Sequence, residues 1–143
     1  MKIDWRETGK NLVVVLAIVG MVRGIIRPYR VTGDSMTPAL ADGQYVVAER
    51  ISYLFREPRP GEVVLINTPP HGRKLIKRVH NVQSDGAVWV VGDNYEESQD
   101  SRVFGAVPRR LIVGRAAWVY WPPANWGPVD AWDATAFGRG LMP

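Results

Sequence analysis

A run of uncharged apolar residues near the N-terminus constrains this chain more than any other feature of its sequence. Residues 12–22 read LVVVLAIVGMV, and the apolar character resumes after Arg23 as far as Ile26. A helix over 12–26 is roughly 22 Å long, somewhat less than the hydrocarbon core of a bilayer, which is about 30 Å thick. The Arg23 side chain can extend to the interface, and a small mismatch is tolerated. The run therefore predicts an uncleaved membrane anchor over 12–28.

A buried core helix and a cleaved signal peptide stay open as alternatives for this run. A core helix has the same length, but a helix at the edge of a small domain normally carries a polar face, which this one lacks. A cleaved signal peptide fits the basic residues before the run, but residues 23–30 offer no small-residue cleavage site. Basic residues balance on the two sides of the run, so the positive-inside rule does not decide its orientation.

Beyond the anchor, turn-forming residues punctuate the sequence. The chain has 143 residues, and its 14 glycines and 11 prolines, set against 22% charged residues, favour short strands over a helical bundle. The length is that of one domain and excludes multi-domain enzymes. We therefore expect a tail over 1–11, the anchor, and a mainly β domain over 29–143. Apolar runs between the turns predict strands over 44–48, 62–66, 74–79, 87–91 and 111–120.

The available side chains limit the chemistry. The chain has no cysteine and only two histidines, which excludes disulfides, thiolate zinc sites, iron–sulfur clusters, thiol nucleophiles and three-histidine metal sites. We therefore expect no metal and no cofactor. The net charge is +4, but the basic residues are spread out and no DNA-reading helix is visible, so we expect no nucleic-acid partner. Tryptophans concentrate in 118–137, where they either pack on the last strand or contact the lipid interface.

Two short segments hold the first candidate reactive residues. Ser35 lies in the turn-rich segment 31–40, and a serine hydroxyl becomes a nucleophile only beside a general base. In a strand over 74–79, alternation places Lys77 on an apolar stripe with Leu75, where desolvation would lower its ordinary pKa of about 10.4. His80, on the opposite face, is the rival base. Taken alone, a turn serine and a basic edge strand are the more common interpretations.

A third segment, 92–102, is rich in acidic and hydroxyl side chains. Its sequence, GDNYEESQDSR, lacks the glycine and carboxylate spacing of an EF-hand, which argues against a calcium site. Either Asp93 or Asp100 can form a bidentate ion pair with Arg102, which would hold the loop rigid and leave Ser98 to present a hydroxyl. Taken alone, the segment also fits a solvated acidic loop.

The order of these pieces resembles that of the type I signal peptidases, membrane-bound serine peptidases that remove signal sequences from exported preproteins. The likeness covers about 13–123, and its motifs are GDSMTPAL at 33–40, LIKRV at 75–79 and GDN-x3-S-x-D-S-R at 92–102, followed by Gly105 and Val107-Pro108. It implies a mainly β fold of the signal-peptidase/LexA-like type after one transmembrane helix. It also implies a single-pass protein of the cell membrane, inner or plasma, with an extracytoplasmic catalytic domain and with preproteins and membrane lipid as partners.

The same resemblance implies a Ser/Lys dyad, in which Ser35 is the nucleophile and Lys77 the general base that takes its proton. Ser98 matches the serine that hydrogen-bonds and positions the lysine. The supporting scaffold matches Asp93, Asp100 and Arg102. In the family, the nucleophile's backbone N–H holds the oxyanion, in some members together with a serine hydroxyl two residues earlier. Here that residue is Gly33, so the second donor, water or Thr32, stays open.

Substrate recognition is implied by the same likeness. The family binds its substrate extended, against the segments that precede the nucleophile and the lysine, which here are 29–32 and 75–76. Shallow pockets lined by Val31, Met36 and Ile76 would admit alanine-sized side chains at the −1 and −3 positions, in agreement with the small-x-small rule for signal-peptide cleavage. The residues expected to contact substrate are Tyr29, Val31, Thr32, Gly33, Met36, Leu75 and Ile76.

The sequence departs from larger members of that family in two places. They insert a second β domain before the Gly-Asp-Asn motif, where only 80–91 intervene here, and 81–85 read NVQSD in place of their Gly-x-Pro-Gly-Asp. We therefore expect a compact catalytic core. A self-cleaving repressor-type peptidase is disfavoured by the anchor, and a silent membrane-anchored binding module by the reactive residues. A specialised maturation protease for a single exported precursor shares every motif and stays open, as does the oligomeric state.

Overall fold

An apolar helix leads into the sheet. The computed structural model describes residues 5–68 and 72–129, and its first element, α1, spans Trp5–Ile25. The segment Thr8–Ile25 is long and apolar enough to cross a membrane, and none of it is buried inside the protein. A core helix would be covered by other elements, so the core-helix interpretation of the apolar run is wrong. Lipid is the surrounding in which such an uncovered apolar helix is stable.

The helix starts earlier and ends earlier than the expected anchor. At Ile26 the chain passes directly into strand β1, Ile26–Arg30, so the last residues of the range 12–28 are extended. Pro28 accounts for this ending, because proline lacks the N–H of a helical residue and restricts the residue before it to extended conformations. In β1, which lies at the edge of the sheet, Pro28 pairs with Val47, a position where proline is tolerated.

The seven strands of the described residues form one antiparallel sheet, which confirms the mainly β fold. Its strand order is β1-β2-β6-β3-β4-β5, with β7 paired to β6. The predicted strands match observed ones to within a few residues, whereas β1 and β7 were not predicted. The strands after β1 are β2 Tyr45–Glu49, β3 Val63–Thr68, β4 Arg73–Val82, β5 Val88–Val91, β6 Ile112–Trp121 and β7 Gly127–Pro128. The short helices are α2 Ser52–Phe55 and α3 Ser101–Phe104, with 3-10 turns at Arg109–Leu111 and Pro123–Asn125.

The sheet carries a hydrophobic cluster on each face. Successive strand residues point to opposite faces, and Leu75 and Ile76 in β4 accordingly contact different clusters, which confirms the predicted alternation. The first cluster consists of Val31, Met36, Leu40, Val46, Val63, Ile76, Ala116 and Val119. The second consists of Val64, Ile66, Val79, Val88, Val90, Val107 and Ile112. Both clusters include residues from outside the strands, so burial also fixes the segments that connect them.

Parts of two predicted regions lie outside the described residues. Residues 1–4 belong to the expected tail, and residues 69–71 and 130–143 belong to the expected β domain. Within the tryptophan-rich segment, Trp118, Trp121 and Trp126 are exposed. Trp132 falls outside the described residues, so the contact of this segment with lipid stays a prediction.

Candidate active site

The segment that presents Ser35 is folded back on itself. The Val31 N–H donates to the Gln44 carbonyl at 2.7 Å, and the Gly43 N–H donates to the Val31 carbonyl at 3.0 Å. The side chains of Val31, Met36 and Leu40 are buried in the first cluster. Ser35 is therefore held on a packed loop, at the wall of two cavities.

Gly33 sets the geometry of that loop. Its φ is +81°, a conformation that costs energy for any residue with a side chain, and its N–H donates to Asp42 Oδ1 at 2.8 Å. One turn later, the Thr37 N–H donates to the Asp34 carbonyl at 3.0 Å. A serine at position 33 would be strained, and this gives a physical reason why no hydroxyl stands two residues before Ser35.

Lys77 meets Ser35 at the centre of the site. Strand β4 carries Lys77, whose Nζ lies 2.6 Å from Ser35 Oγ although the two residues are 42 positions apart. Lys77 is only 3% exposed. Burial lowers its pKa below the usual lysine value; the Arg102 guanidinium acts in the same direction, and the carboxylates of Asp100 and Asp93 oppose it. The hydroxyl is thus within hydrogen-bond reach of an amine that is easier to deprotonate than an ordinary one.

Asp100 anchors the loop beside Lys77. Its buried carboxylate accepts two hydrogen bonds at 2.7 Å from the Arg102 guanidinium, one at 2.8 Å from the Gly92 N–H and one at 2.7 Å from the Ser98 hydroxyl. Burial by itself would raise the pKa of Asp100, but these hydrogen bonds outweigh it and lower the pKa to about 2. Asp100 and Arg102 therefore form the predicted bidentate pair, and the direct contact of Ser98 with Lys77 stays a prediction.

Asp93 pairs with an arginine to which the sequence motifs assigned no role. Arg78 donates from Nε and Nη2 to the two carboxylate oxygens of Asp93 at 2.7 and 2.6 Å, and from Nη1 to the Gly61 carbonyl at 2.7 Å. The two side chains are 3% and 0% exposed. Of the two partners left open for Arg102, the structure thus selects Asp100. Strand alternation places the Arg78 side chain on the face opposite to Lys77. In the sequence, this was the signal that Arg78 has a role separate from that of Lys77.

Gly92 is a second residue whose part in the site was missed. A Cβ at this position would lie 2.5 Å from the Ser35 carbonyl oxygen and would overlap the Ser98 side chain. Two residues later, the Asn94 N–H donates to the same Ser35 carbonyl at 3.0 Å. The start of the Gly-Asp-Asn motif therefore closes directly on the backbone of Ser35, which requires glycine.

Ser35 and Lys77 both line two cavities. The larger, about 690 Å³, includes the predicted residues Thr32, Gly33 and Leu75 and also has apolar walls that were not predicted. Those walls are formed by Ile66, Phe104, Val107, Pro108 and Leu111. The smaller cavity, about 340 Å³, lies between β1 and β4 and is lined in part by Tyr29, Thr32, Leu75 and Ile76.

Two residues expected to line substrate pockets lie elsewhere. Val31 and Met36 are 1% and 0% exposed, and both belong to the first cluster and not to the lining of either cavity. Alternation along the chain explains this correction, because burying Val31 turns its neighbour Thr32 to the cleft. Across the cleft, the Tyr29 hydroxyl donates to the Lys74 carbonyl at 2.9 Å and joins β1 to β4.

The remaining candidates take no part in the site. His80, the rival base, is exposed beside an irregularity in β4, whereas the hydroxyl of Ser35 meets Lys77. Within residues 5–68 and 72–129, no three metal-ligating side chains come together.

Comparison with known proteins agrees with this arrangement. A family model described as signal peptidase, peptidase S26, matches residues 5–85 and 80–121. The mitochondrial ATP-independent inner membrane protease subunit 1a of Arabidopsis thaliana is 32% identical over 87% of this chain and 92% of its own length. The probable signal peptidase I-1 of Synechocystis is 27% identical over 86% and 87%, and the human mitochondrial inner membrane protease subunit 1 is 31% identical over 67% and 70%. Since the family match spans every residue of the site described above, the chain belongs to the S26 signal peptidase family.

Proposed function

We propose that this chain is a membrane-anchored serine endopeptidase that works through a Ser35/Lys77 dyad. The observation that carries the proposal is the 2.6 Å distance between Lys77 Nζ and Ser35 Oγ, with the amine buried and its pKa lowered. A lysine with its usual pKa of about 10.4 is protonated at neutral pH and takes up no proton from serine. Burial therefore supplies the property that a lysine base requires.

The chemistry has two stages. Neutral Lys77 takes the Ser35 hydroxyl proton as Oγ attacks the scissile carbonyl carbon, and the backbone N–H of Ser35 donates to the oxyanion. The tetrahedral intermediate collapses, the peptide C–N bond breaks, and the Lys77 ammonium gives its proton to the leaving amine. Lys77 then takes a proton from a water molecule whose oxygen attacks the ester carbonyl carbon. The bond between that carbon and Ser35 Oγ breaks, the Lys77 ammonium returns its proton to Oγ, and the new carboxylic acid leaves and gives its proton to solvent.

The buried ion pairs act as positioning groups for the dyad. Asp100 accepts hydrogen bonds from Ser98, Gly92 and Arg102, and Asp93 pairs with Arg78, the residue that follows Lys77 in β4. Each carboxylate is matched by its own guanidinium, so the two pairs add little net charge near Lys77. Burial is therefore the largest influence on its pKa, as a base working near neutral pH requires.

Substrates bind extended between β1 and β4, with small residues at −1 and −3. The cavity of about 340 Å³ between these strands, next to Ser35, supports this part of the proposal. Tyr29, Thr32, Leu75 and Ile76 line it in part, and Gly33 lines the neighbouring cavity. Membership of the signal peptidase family makes preproteins the substrate class.

The chain crosses the membrane once, with its N-terminus inside and the domain from 29 to 143 on the extracytoplasmic side of the cell membrane. The uncovered apolar segment Thr8–Ile25 supports a single span. The named relatives include a bacterial-type signal peptidase and inner membrane proteases. A membrane-held peptidase fits both groups.

A specialised maturation protease for a single exported precursor is the second candidate. It shares every motif of the sequence, and the Arabidopsis relative, matched over 92% of its length, is named an inner membrane protease and not a signal peptidase. Processing of a panel of preproteins separates the two candidates. Cleavage of many precursors after small residues fits a general signal peptidase, and cleavage of one precursor alone fits the specialised enzyme.

The test is cleavage of a labelled preprotein by the full chain in detergent. Ser35→Ala is expected to abolish cleavage, and Lys77→Met to reduce it by at least about 10²-fold, the usual contribution of a general base. Lys77→Arg keeps a long basic side chain but is expected to be equally inactive, because guanidinium does not deprotonate in proteins.

Ser84→Ala is the matched control, since Ser84 is an exposed serine in the turn between β4 and β5. It is expected to cleave at the wild-type rate. Wild-type cleavage by Ser35→Ala or Lys77→Met contradicts the dyad, and a wild-type chain that cleaves no preprotein contradicts the proposed activity. A large drop in the melting temperature of Lys77→Met would assign that residue a structural role instead.

A further inference from the structure

The short helix α2 exposes an unusual amount of apolar surface. The side chains of Ile51, Leu54 and Phe55 are 45%, 69% and 84% exposed. Their spacing, i, i+3 and i+4, places them on one face of a helical turn. We call these three residues the α2 face. In water, such a face loses the free energy that burial of its apolar atoms would provide.

The other side of α2 is held against the domain. The Tyr53 hydroxyl donates to Glu62 Oε2 at 3.0 Å, and the guanidinium groups of Arg56 and Arg109 lie 5.5 and 4.9 Å from the centre of its ring. Arg109 also donates to the Tyr53 carbonyl at 3.0 Å. These contacts prevent α2 from rotating to bury its apolar face, so the exposure is fixed by the surrounding structure.

The α2 face begins where the anchor helix ends. The Arg50 N–H donates to the carbonyl of Ile25, the last residue of α1, at 3.1 Å, and Ile26 pairs with Glu49. Ile51 is the next residue, and one helical turn advances the chain by only about 5.4 Å. The interfacial layer on each side of the hydrocarbon core is roughly 5–8 Å thick. The α2 face therefore lies within reach of the membrane surface at which α1 emerges.

The charges around this junction also suit a membrane surface. Arg23, Arg27 and Arg50 are exposed near the end of α1, where cationic side chains are attracted to anionic lipid headgroups. Apolar side chains beside basic ones are the composition of segments that lie in the membrane interface.

We propose that the α2 face inserts into the headgroup region of the bilayer that α1 crosses, as a second membrane contact of the domain. A single helix joined to a domain leaves the domain free to tilt, and a second contact beside the helix end restricts that tilt. The occupant is lipid, and the basis is the continuity of this face with the membrane span. The inference rests on the span and is independent of the proposed catalysis.

Fluorescence quenching in vesicles tests the insertion. Because the sequence has no cysteine, Phe55→Cys in the full chain carries a single thiol for an environment-sensitive nitrobenzoxadiazole label. The protein is reconstituted into phosphatidylcholine vesicles with one quarter phosphatidylglycerol, with and without lipids spin-labelled near the headgroup. The control is Ser84→Cys, in the turn that follows β4. Strand β4 runs opposite to β2, and that turn therefore lies at the end of the sheet away from the anchor.

The label at position 55 is expected to have blue-shifted emission and at least threefold stronger quenching by the spin-labelled lipid than the label at position 84. Equal quenching at the two positions overturns the proposal. So does a blue shift at position 55 that is insensitive to the lipid quencher and grows with protein density, because it assigns the face to a second copy of the chain.

A functional readout complements the quenching. Leu54→Ser combined with Phe55→Ser is expected to slow processing of a vesicle-inserted preprotein several-fold and to leave cleavage of a short soluble peptide in detergent unchanged. An equal loss in both assays overturns the orienting role of the face. The quenching experiment needs no catalysis, so a failure of the proposed activity remains distinguishable from a failure of membrane insertion.

Discussion

The reactivity proposed for Lys77 depends on the environment of one amine. Its Nζ contacts the Ser35 hydroxyl, and its side chain is almost entirely removed from water. Asp100 and Asp93 would raise the pKa of a nearby lysine, but each is engaged by an arginine. Burial therefore remains the leading influence and favours the neutral amine.

The Arg78–Asp93 pair yields a prediction for stability. Both side chains are 3% exposed or less, so Asp93→Ala leaves a buried guanidinium without its carboxylate and is expected to cost about 3–5 kcal/mol of unfolding free energy. Glu57→Ala breaks the exposed Arg109–Glu57 pair and is expected to cost less than about 1 kcal/mol. Chemical denaturation in detergent measures both variants. Equal losses would contradict the importance assigned to the buried pair.

Asp100 makes stability depend on pH in the acid range. Its pKa is lowered from 3.8 to about 2 in the folded protein, so the unfolded chain binds the proton more tightly between these values. The stabilisation is present above about pH 4 and is lost as the pH falls toward 2. Acid titration of the unfolding free energy should show a steeper decline for the wild type than for Asp100→Asn. Identical slopes would show that the carboxylate is not held in its ionised form by the fold.

At the scale of elements, the site depends on two turns that meet. The loop after β1 presents Ser35, and the turn after β5 closes on the Ser35 carbonyl through Gly92 and Asn94. Neither turn contains a regular strand or long helix. The loop after β1 is fixed by its buried side chains, and the turn after β5 is fixed by the hydrogen bonds of Asp100.

Gly92→Ala is expected to separate these turns. The added methyl would lie 2.5 Å from the Ser35 carbonyl oxygen, and displacement of a reacting group by about 1 Å costs roughly 10²-fold in rate. Gly127→Ala is the control, because a Cβ at position 127 meets nothing within 4 Å. Preprotein cleavage rates compare the two variants. Wild-type activity in Gly92→Ala would contradict the close approach.

The elements themselves were largely predictable from local patterns. Apolar alternation in segments such as 74–79 marked the strands, because one face of each is buried. Strand β1 was missed because it follows the apolar helix without a polar break, and only Pro28 signals the change. The exposed face of α2 was also missed, since three apolar residues in a short segment give no clear helical period.

The contacts within the site were harder to predict from local sequence patterns. The approach of Ser35 to Lys77 was implied by the family resemblance, because no spacing rule joins residues 42 positions apart. The partner of Asp93 depends on the register of β4 against β5, which places Arg78 opposite Val91. The inward direction of Val31 and Met36 depends on how the loop packs, which the sequence pattern did not contain.

At the scale of the whole molecule, the chain combines a membrane span with a compact sheet. Strands β4 and β5 are joined by a tight turn, with Gln83 N–H donating to the Ala87 carbonyl at 2.8 Å. This connection stands where the family resemblance implies a second β domain in larger members. Within the described residues, the two cavities beside Ser35 and Lys77 are available for substrate selection.

The pH dependence of kcat/KM for preprotein cleavage by the full chain in detergent tests the central claim most directly. With neutral Lys77 as the proposed base, the rate is expected to rise with pH as its ammonium deprotonates. The midpoint should lie below the usual lysine pKa of about 10.4, since burial lowers it. A rate that is flat from about pH 6 to 10 would contradict a lysine base at Ser35.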